Sequence, residues 1–146
     1  MKNLACSLAL SLLFVGFVAC DDDDDDPVNP TILNFTAALS GANEVPANPS
    51  TATGNAAAVY NDDTNKLSVT VTYTGLTPTD AHIHEGGAGV SGPVVFPFTD
   101  LTSPIMLTNV TLTAEQESDL KNDLYYVNLH TAAYPDGEIR GQLIEQ

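Results

Sequence analysis

Apolar residues at every second position are the strongest constraint this chain places on its fold. Leu33, Phe35, Ala37 and Leu39 alternate with Asn34, Thr36 and Ala38, and Leu67, Val69, Val71 and Tyr73 alternate with Ser68, Thr70, Thr72 and Thr74. Successive side chains of a strand point to opposite faces, so each run makes a strand with one face on a core and one in water. Ala56–Tyr60 reads as a further strand. The turn-forming segment Asn61-Asp62-Asp63-Thr64-Asn65 joins it to Leu67–Tyr73 as a hairpin. Later strands are expected at Ala81–His84, Val94–Phe96, Ile105–Leu112, Tyr125–His130 and Glu138–Ile144. One helix fits: Thr113 is a good N-cap, Gln116 completes a capping box, and Ala114–Asn122 makes about two turns with Leu120 inward. The expected fold is all-β, an antiparallel β-sandwich with one short helix, over residues 31–146.

The segment before it has a different composition. Lys2 is followed by an uncharged apolar run, Leu4 to Ala19, too short to span a membrane comfortably and laid out as a secretory signal, residues 1–19. Its end, Phe17-Val18-Ala19-Cys20, resembles the lipobox of bacterial lipoproteins, with Phe17 where Leu is usual. That resemblance implies acylation of Cys20 and a membrane partner held through that lipid; the plainer alternative is a signal peptide cut near Ala19. Residues 20–30 then read as an acidic tether. Asp21 to Asp26 repel one another, and Pro27 and Pro30 resist regular structure. The tether serves as a spacer or as a sorting signal, since acidic residues after the cysteine resemble the surface-export signal of some Gram-negative lipoproteins. The expected location is the bacterial outer membrane or cell surface, with the periplasmic face as the alternative.

Charge narrows the partners. Beyond Asp26 the chain holds three cations, Lys66, Lys121 and Arg140, against thirteen acids, a formal −10. No basic patch can be built from three cations, and nucleic acid and anionic lipid are repelled. Cys6 falls in the signal and Cys20 at the lipobox, so the domain has no cysteine for a disulfide or a thiolate ligand. The partner expected instead is an envelope or extracellular ligand.

The chemistry-bearing residues are the three histidines. His82 and His84 flank Ile83, and on a strand positions i and i+2 share a face about 6.5–7 Å apart. Two imidazoles so placed can converge on one ion, and His130, at the end of Tyr125–His130, can bring a third nitrogen from a neighbouring strand. Three imidazoles suit copper or zinc. Glu85, Asp136 and Glu138 are candidates for a fourth ligand or for orienting a ring. Glu138 and Arg140 are expected near the cluster, because Pro135-Asp136-Gly137 makes a turn that returns the chain beside His130. The alternative is a hydrogen-bonded cluster of the three rings with Glu138 and Arg140 that closes one end of the fold. No nucleophile elbow, phosphate loop or His-Glu-x-x-His pair occurs, and no catalytic residue is singled out. Glu115, Glu117, Asp119 and Asp123 read as a solvated helix face.

Long motifs in order resemble the CHRD domain, the module named after chordin. They are Phe35-Thr36-Ala37-Ala38-Leu39-Ser40-Gly41-Ala42-Asn43-Glu44-Val45-Pro46, Val71-Thr72-Tyr73-Thr74-Gly75-Leu76, Ala81-His82-Ile83-His84, Gly92-Pro93-Val94-Val95, and the run from Tyr126 to Leu143. The resemblance implies no enzymatic activity, and so a non-catalytic binding or structural module. The histidines also resemble those of copper-zinc superoxide dismutase, which implies copper ligands at His82, His84 and His130 and an anion-guiding role near Arg140. The bridging histidine, the zinc-binding cluster and the disulfide of that family have no counterpart here, so dismutase activity is not implied; a copper- or zinc-binding protein of redox or hydrolytic type is the alternative function.

Overall fold

The computed structural model describes residues 29–146. The signal, Cys20 and the acidic run therefore lie outside the described residues. The remainder is an all-β, antiparallel fold with a single short helix. Its strands are β1 (Ile32–Ser40), β2 (Thr53–Asn61), β3 (Lys66–Thr74), β4 (Asp80–Glu85), β5 (Val94–Pro97), β6 (Ile105–Thr111), β7 (Tyr125–His130), β8 (Ile139–Gln142) and β9 (Ile144–Glu145), with the helix α1 (Ala114–Lys121) between β6 and β7. The strands hydrogen-bond in one continuous path, β5-β4-β7-β8-β1-β2-β3-β6, with β9 added to β1. The two layers are thus halves of one curled sheet. Phe35, Leu39, Tyr60, Leu67 and Val69 from β1–β3 share a core with Ile83, Val127, Leu129 and Ile139 from β4, β7 and β8.

Period-two alternation builds the first half. β1 and β2 pair along nine residues, and large inward side chains of β1 face small ones of β2: Phe35 opposite Ala58, Leu39 opposite Gly54. A Cβ at Gly54 would lie 2.8 Å from the Thr72 carbonyl oxygen, so the glycine lets the two strands and Ile139 close on one another. The β2–β3 hairpin turns at Asn65, which takes a left-handed φ of 56° that asparagine tolerates. The Tyr60 hydroxyl donates to the Asn65 side-chain oxygen at 3.0 Å and locks the turn. The helix begins as its sequence dictates: Gln116 N donates to Thr113 Oγ1, and Thr113 N donates back to Gln116 Oε1. Leu120 is its one buried residue.

β7 departs from simple alternation. Tyr125, Val127 and Leu129 face the core, yet Tyr126 and Asn128 on the other face are buried as well. Three loops cover that face, residues 41–48, 86–93 and 131–137, so β7 has protein on both sides.

Candidate functional site

The covered face of β4, β7 and β8 collects the polar residues. Register sets His82 beside Asn128 and Asn128 beside Arg140; it sets His84 beside Tyr126 and Tyr126 beside Gln142. His130 lies opposite Asp80. The hairpin β7–β8, with β4 on its other side, therefore puts all three histidines on one patch. Their ring centroids are 5.4 Å apart for His82 and His84, 5.0 Å for His82 and His130, and 6.1 Å for His84 and His130.

The ring nitrogens are individually oriented. His84 Nδ1 donates to the Gly92 carbonyl at 2.9 Å. His130 Nδ1 donates to the Pro135 carbonyl at 2.9 Å. Each of these two rings then turns a bare Nε2 toward its neighbours. His82 places Nδ1 3.1 Å from His130 Nε2 and Nε2 3.1 Å from Asp80 Oδ1. His84 Nε2 is buried and has no hydrogen-bond partner among the described residues. Burial pushes the pKa of His84 down, with the other two histidines and Arg140 adding to the effect against the Gly92 hydrogen bond. Burial likewise lowers His130, opposed chiefly by its bond to Pro135.

Each loop is tied to the sheet by named bonds. Arg140 lies 3.5 Å over the Tyr126 ring, and its guanidinium donates to the Val90 carbonyl at 2.6 Å and to the Gly87 carbonyl at 3.2 Å. Gln142 holds the Gly86 carbonyl, and Gly92 N donates to the Tyr126 hydroxyl. Asn43 clamps residues 41–48 onto β8 through the Arg140 carbonyl, and Asn48 onto the residues just before it through the carbonyls of Gly137 and Glu138. Glu138 accepts from Ser50 Oγ at 2.7 Å and Thr131 Oγ1 at 2.6 Å. Its carboxylate is thus a clasp between two loops, bonded to these hydroxyls and to no histidine. The acid facing Arg140 is instead Glu44, a residue the sequence reading did not single out. It is buried, accepts from Asn128 Nδ2 at 2.7 Å, and is pushed up to about 7 by burial, against the pull of Arg140. A cavity of about 350 Å³ lies between loops 41–48 and 86–93, with His84, Tyr126, Asn128, Arg140, Glu44 and Asp136 among its lining.

Fold and site together define an antiparallel β domain with one polar sheet face roofed by loops. The chain belongs to the CHRD domain family, whose model matches residues 35–143. No curated protein and no solved structure matches it.

Of the residues expected at the site, the three histidines meet, Arg140 stacks on the Tyr126 that His84 also stacks on, and Glu138 sits across the turn with other partners. Glu85 is an exposed residue at the end of β4. Asp80 and Glu44 went unrecognised. Asp80 had a signal available: it shares the face of His82 by the same i, i+2 rule. Glu44 had none, because its place depends on a loop returning across the sheet.

Proposed function

We propose that this protein is a non-catalytic binding or structural module of the bacterial envelope, carried on a lipid at Cys20 and displayed at the outer membrane or cell surface. The supporting observation is that the side chains that would make catalytic pairs hold the loops down. Ser50 and Thr131 give their hydroxyl protons to Glu138, and His84 and His130 give their Nδ1 protons to main-chain carbonyls. A nucleophile needs a free base within hydrogen-bond reach, and Glu138 already holds two loops in place. The loop-roofed face and its cavity supply a rigid surface for an envelope or extracellular ligand. The lipobox-like run ending at Cys20 and the acidic tether support display at a distance from the bilayer.

Acyl labelling and detergent partitioning test the attachment. The wild-type chain is expected in the detergent phase and Cys20→Ala in the aqueous phase, and unchanged partitioning would refute lipidation. Protease shaving of intact cells separates surface from periplasmic display. Turnover of an ester or glycoside probe by the purified protein, lost in Glu138→Gln, would overturn the non-catalytic reading.

A further inference from the structure

We infer that His82 Nδ1, His84 Nε2 and His130 Nε2 form a three-nitrogen site for one divalent transition ion of the copper(II) or zinc(II) kind. This goes beyond the module reading and is decided independently of it.

Proton bookkeeping carries the inference. His84 and His130 each hold one proton on Nδ1, fixed by the Gly92 and Pro135 carbonyls, so both Nε2 atoms present lone pairs. His82 is caught between two acceptors, His130 Nε2 and Asp80 Oδ1, each at 3.1 Å. With a single proton it can satisfy one of them. If that proton points to Asp80, His82 Nδ1 and His130 Nε2 meet lone pair to lone pair, with the buried, unpartnered His84 Nε2 close by. A cation turns this repulsion into bonds. The three rings offer one nitrogen each, all within 4.8 Å of one another. Bonds of about 2.0–2.1 Å place neighbouring ligands of a tetrahedral ion roughly 3.3 Å apart. The His82–His130 pair stands near that spacing already at 3.1 Å, and the His84 nitrogen lies within 4.8 Å of both.

The surroundings match a metal centre rather than a chance cluster. Every non-ligating nitrogen has an acceptor: Gly92 O for His84, Pro135 O for His130 and the Asp80 carboxylate for His82. That outer ring of acceptors fixes the tautomer and raises ligand basicity. Asp80 is itself held by Ala81 N, which donates to Oδ1 at 3.0 Å. Neutral imidazole nitrogen selects copper and zinc over calcium and magnesium, which want oxygen. Three ligands leave a fourth position, and the cavity adjoins the cluster at His84.

The test uses the untagged full-length protein in detergent, stripped with a chelator and reloaded at pH 7.5 with Cu(II) or Zn(II), one at a time. One ion per chain is expected by elemental analysis after desalting. The Cu(II) form is expected to show nitrogen splitting in its electron paramagnetic resonance spectrum. The His82→Ala/His84→Ala double variant should retain none, with circular dichroism checking that it folds. Asp80→Asn keeps all three ligands and alters one exposed side chain, so it tests the same point if the double variant fails to fold. It is expected to weaken binding about 10–100-fold. The inference is overturned if a folded wild-type chain retains neither ion, so that the cluster takes only a proton. It is equally overturned if the ion survives in the folded double variant and so resides on the acidic run Asp21 to Asp26.

Discussion

A buried carboxylate and a glycine decide how the roofed face is held. Glu44 carries a pKa near 7 because burial disfavours its charge more than Arg140 favours it. The folded value lies above the ordinary 4.5, so the folded state binds the proton more tightly than the unfolded chain. The stabilisation is complete below about pH 4.5 and is lost as pH rises through 7. Glu44→Gln keeps an acceptor for Asn128 and removes the titration. The wild-type stability minus that of Glu44→Gln should fall by about 2–3 kcal/mol from pH 4.5 to 7.5 in urea titrations. Parallel curves would refute the burial of an ionisable Glu44. His84 and His130 act in the opposite sense, since their lowered values remove stability as pH falls below 6.5; the difference between the two proteins cancels that contribution. Gly137, next to the Glu138 clasp, has a φ of 137°, and a Cβ there would stand 2.5 Å from Asn128 Nδ2 and 2.7 Å from Glu44 Oε1. Gly137→Ala is therefore expected to lower unfolding free energy by about 2–4 kcal/mol, from backbone strain and the displaced Asn128–Glu44 pair together. A loss under 0.5 kcal/mol would show that the turn relaxes freely.

At the scale of elements, the capping box ties the start of α1 to two reciprocal bonds, and Thr113→Ala should cost about 1 kcal/mol in the same titrations. A neutral result would mean that Leu120 and the Lys121 contacts to Asp62 and Glu117 hold the helix without its cap. This helix and the strands β1, β2 and β3 were legible in the chain because their signals are local: period two, turn formers at Asn61–Asn65, and a hydroxyl three residues before an amide. The split of the last strand was not. The chain from Glu138 to Ile144 reads as one strand; β8 lies between β7 and β1, and β9 continues along β1 in the same register, Arg140 opposite Ser40 and Ile144 opposite Thr36, with the ladder interrupted at the buried Leu143. Where the pairing with β7 stops while that with β1 carries on depends on how the sheet curls, which no local pattern encodes. The same distinction runs through the site. The shared face of His82 and His84 follows from spacing, and the return of β8 beside β7 follows from Pro135-Asp136-Gly137. The placement of β4 against β7 is a long-range pairing across 48 residues between His82 and His130, and the sequence carries no signal for it. Glu138 illustrates the converse: its face was readable, its partners were not, because Ser50 arrives from a loop 88 residues away.

Over the whole molecule, charge is the dominant long-range term. The chain beyond Asp26 carries thirteen acids and three cations. Arg140 is buried under the loops against Tyr126, and Lys121 is shared between Asp62 and Glu117. Among the described residues Lys66 alone stands outside such pairings, beside Thr111 on the β3–β6 edge. Most of the acids therefore lie on the surface with no counter-charge, and folding brings them closer together than they are in the extended chain. Their repulsion reaches about 30 Å at 10 mM ionic strength and about 8 Å at 150 mM. Over that range, salt should stabilise the fold by screening repulsion more than it weakens the exposed Lys121 pairs, which contribute at most about 1 kcal/mol. The midpoint of thermal unfolding is expected to rise by a few degrees from 10 to 150 mM sodium chloride, a range too dilute for general exclusion of salt from the surface to matter. Replacing Asp21 to Asp26 with serines should leave most of that rise in place, since the thirteen acids beyond the run are unchanged. A midpoint that stays flat or falls with salt would show that local ion pairs, not the net charge of −10, govern the electrostatics of this domain.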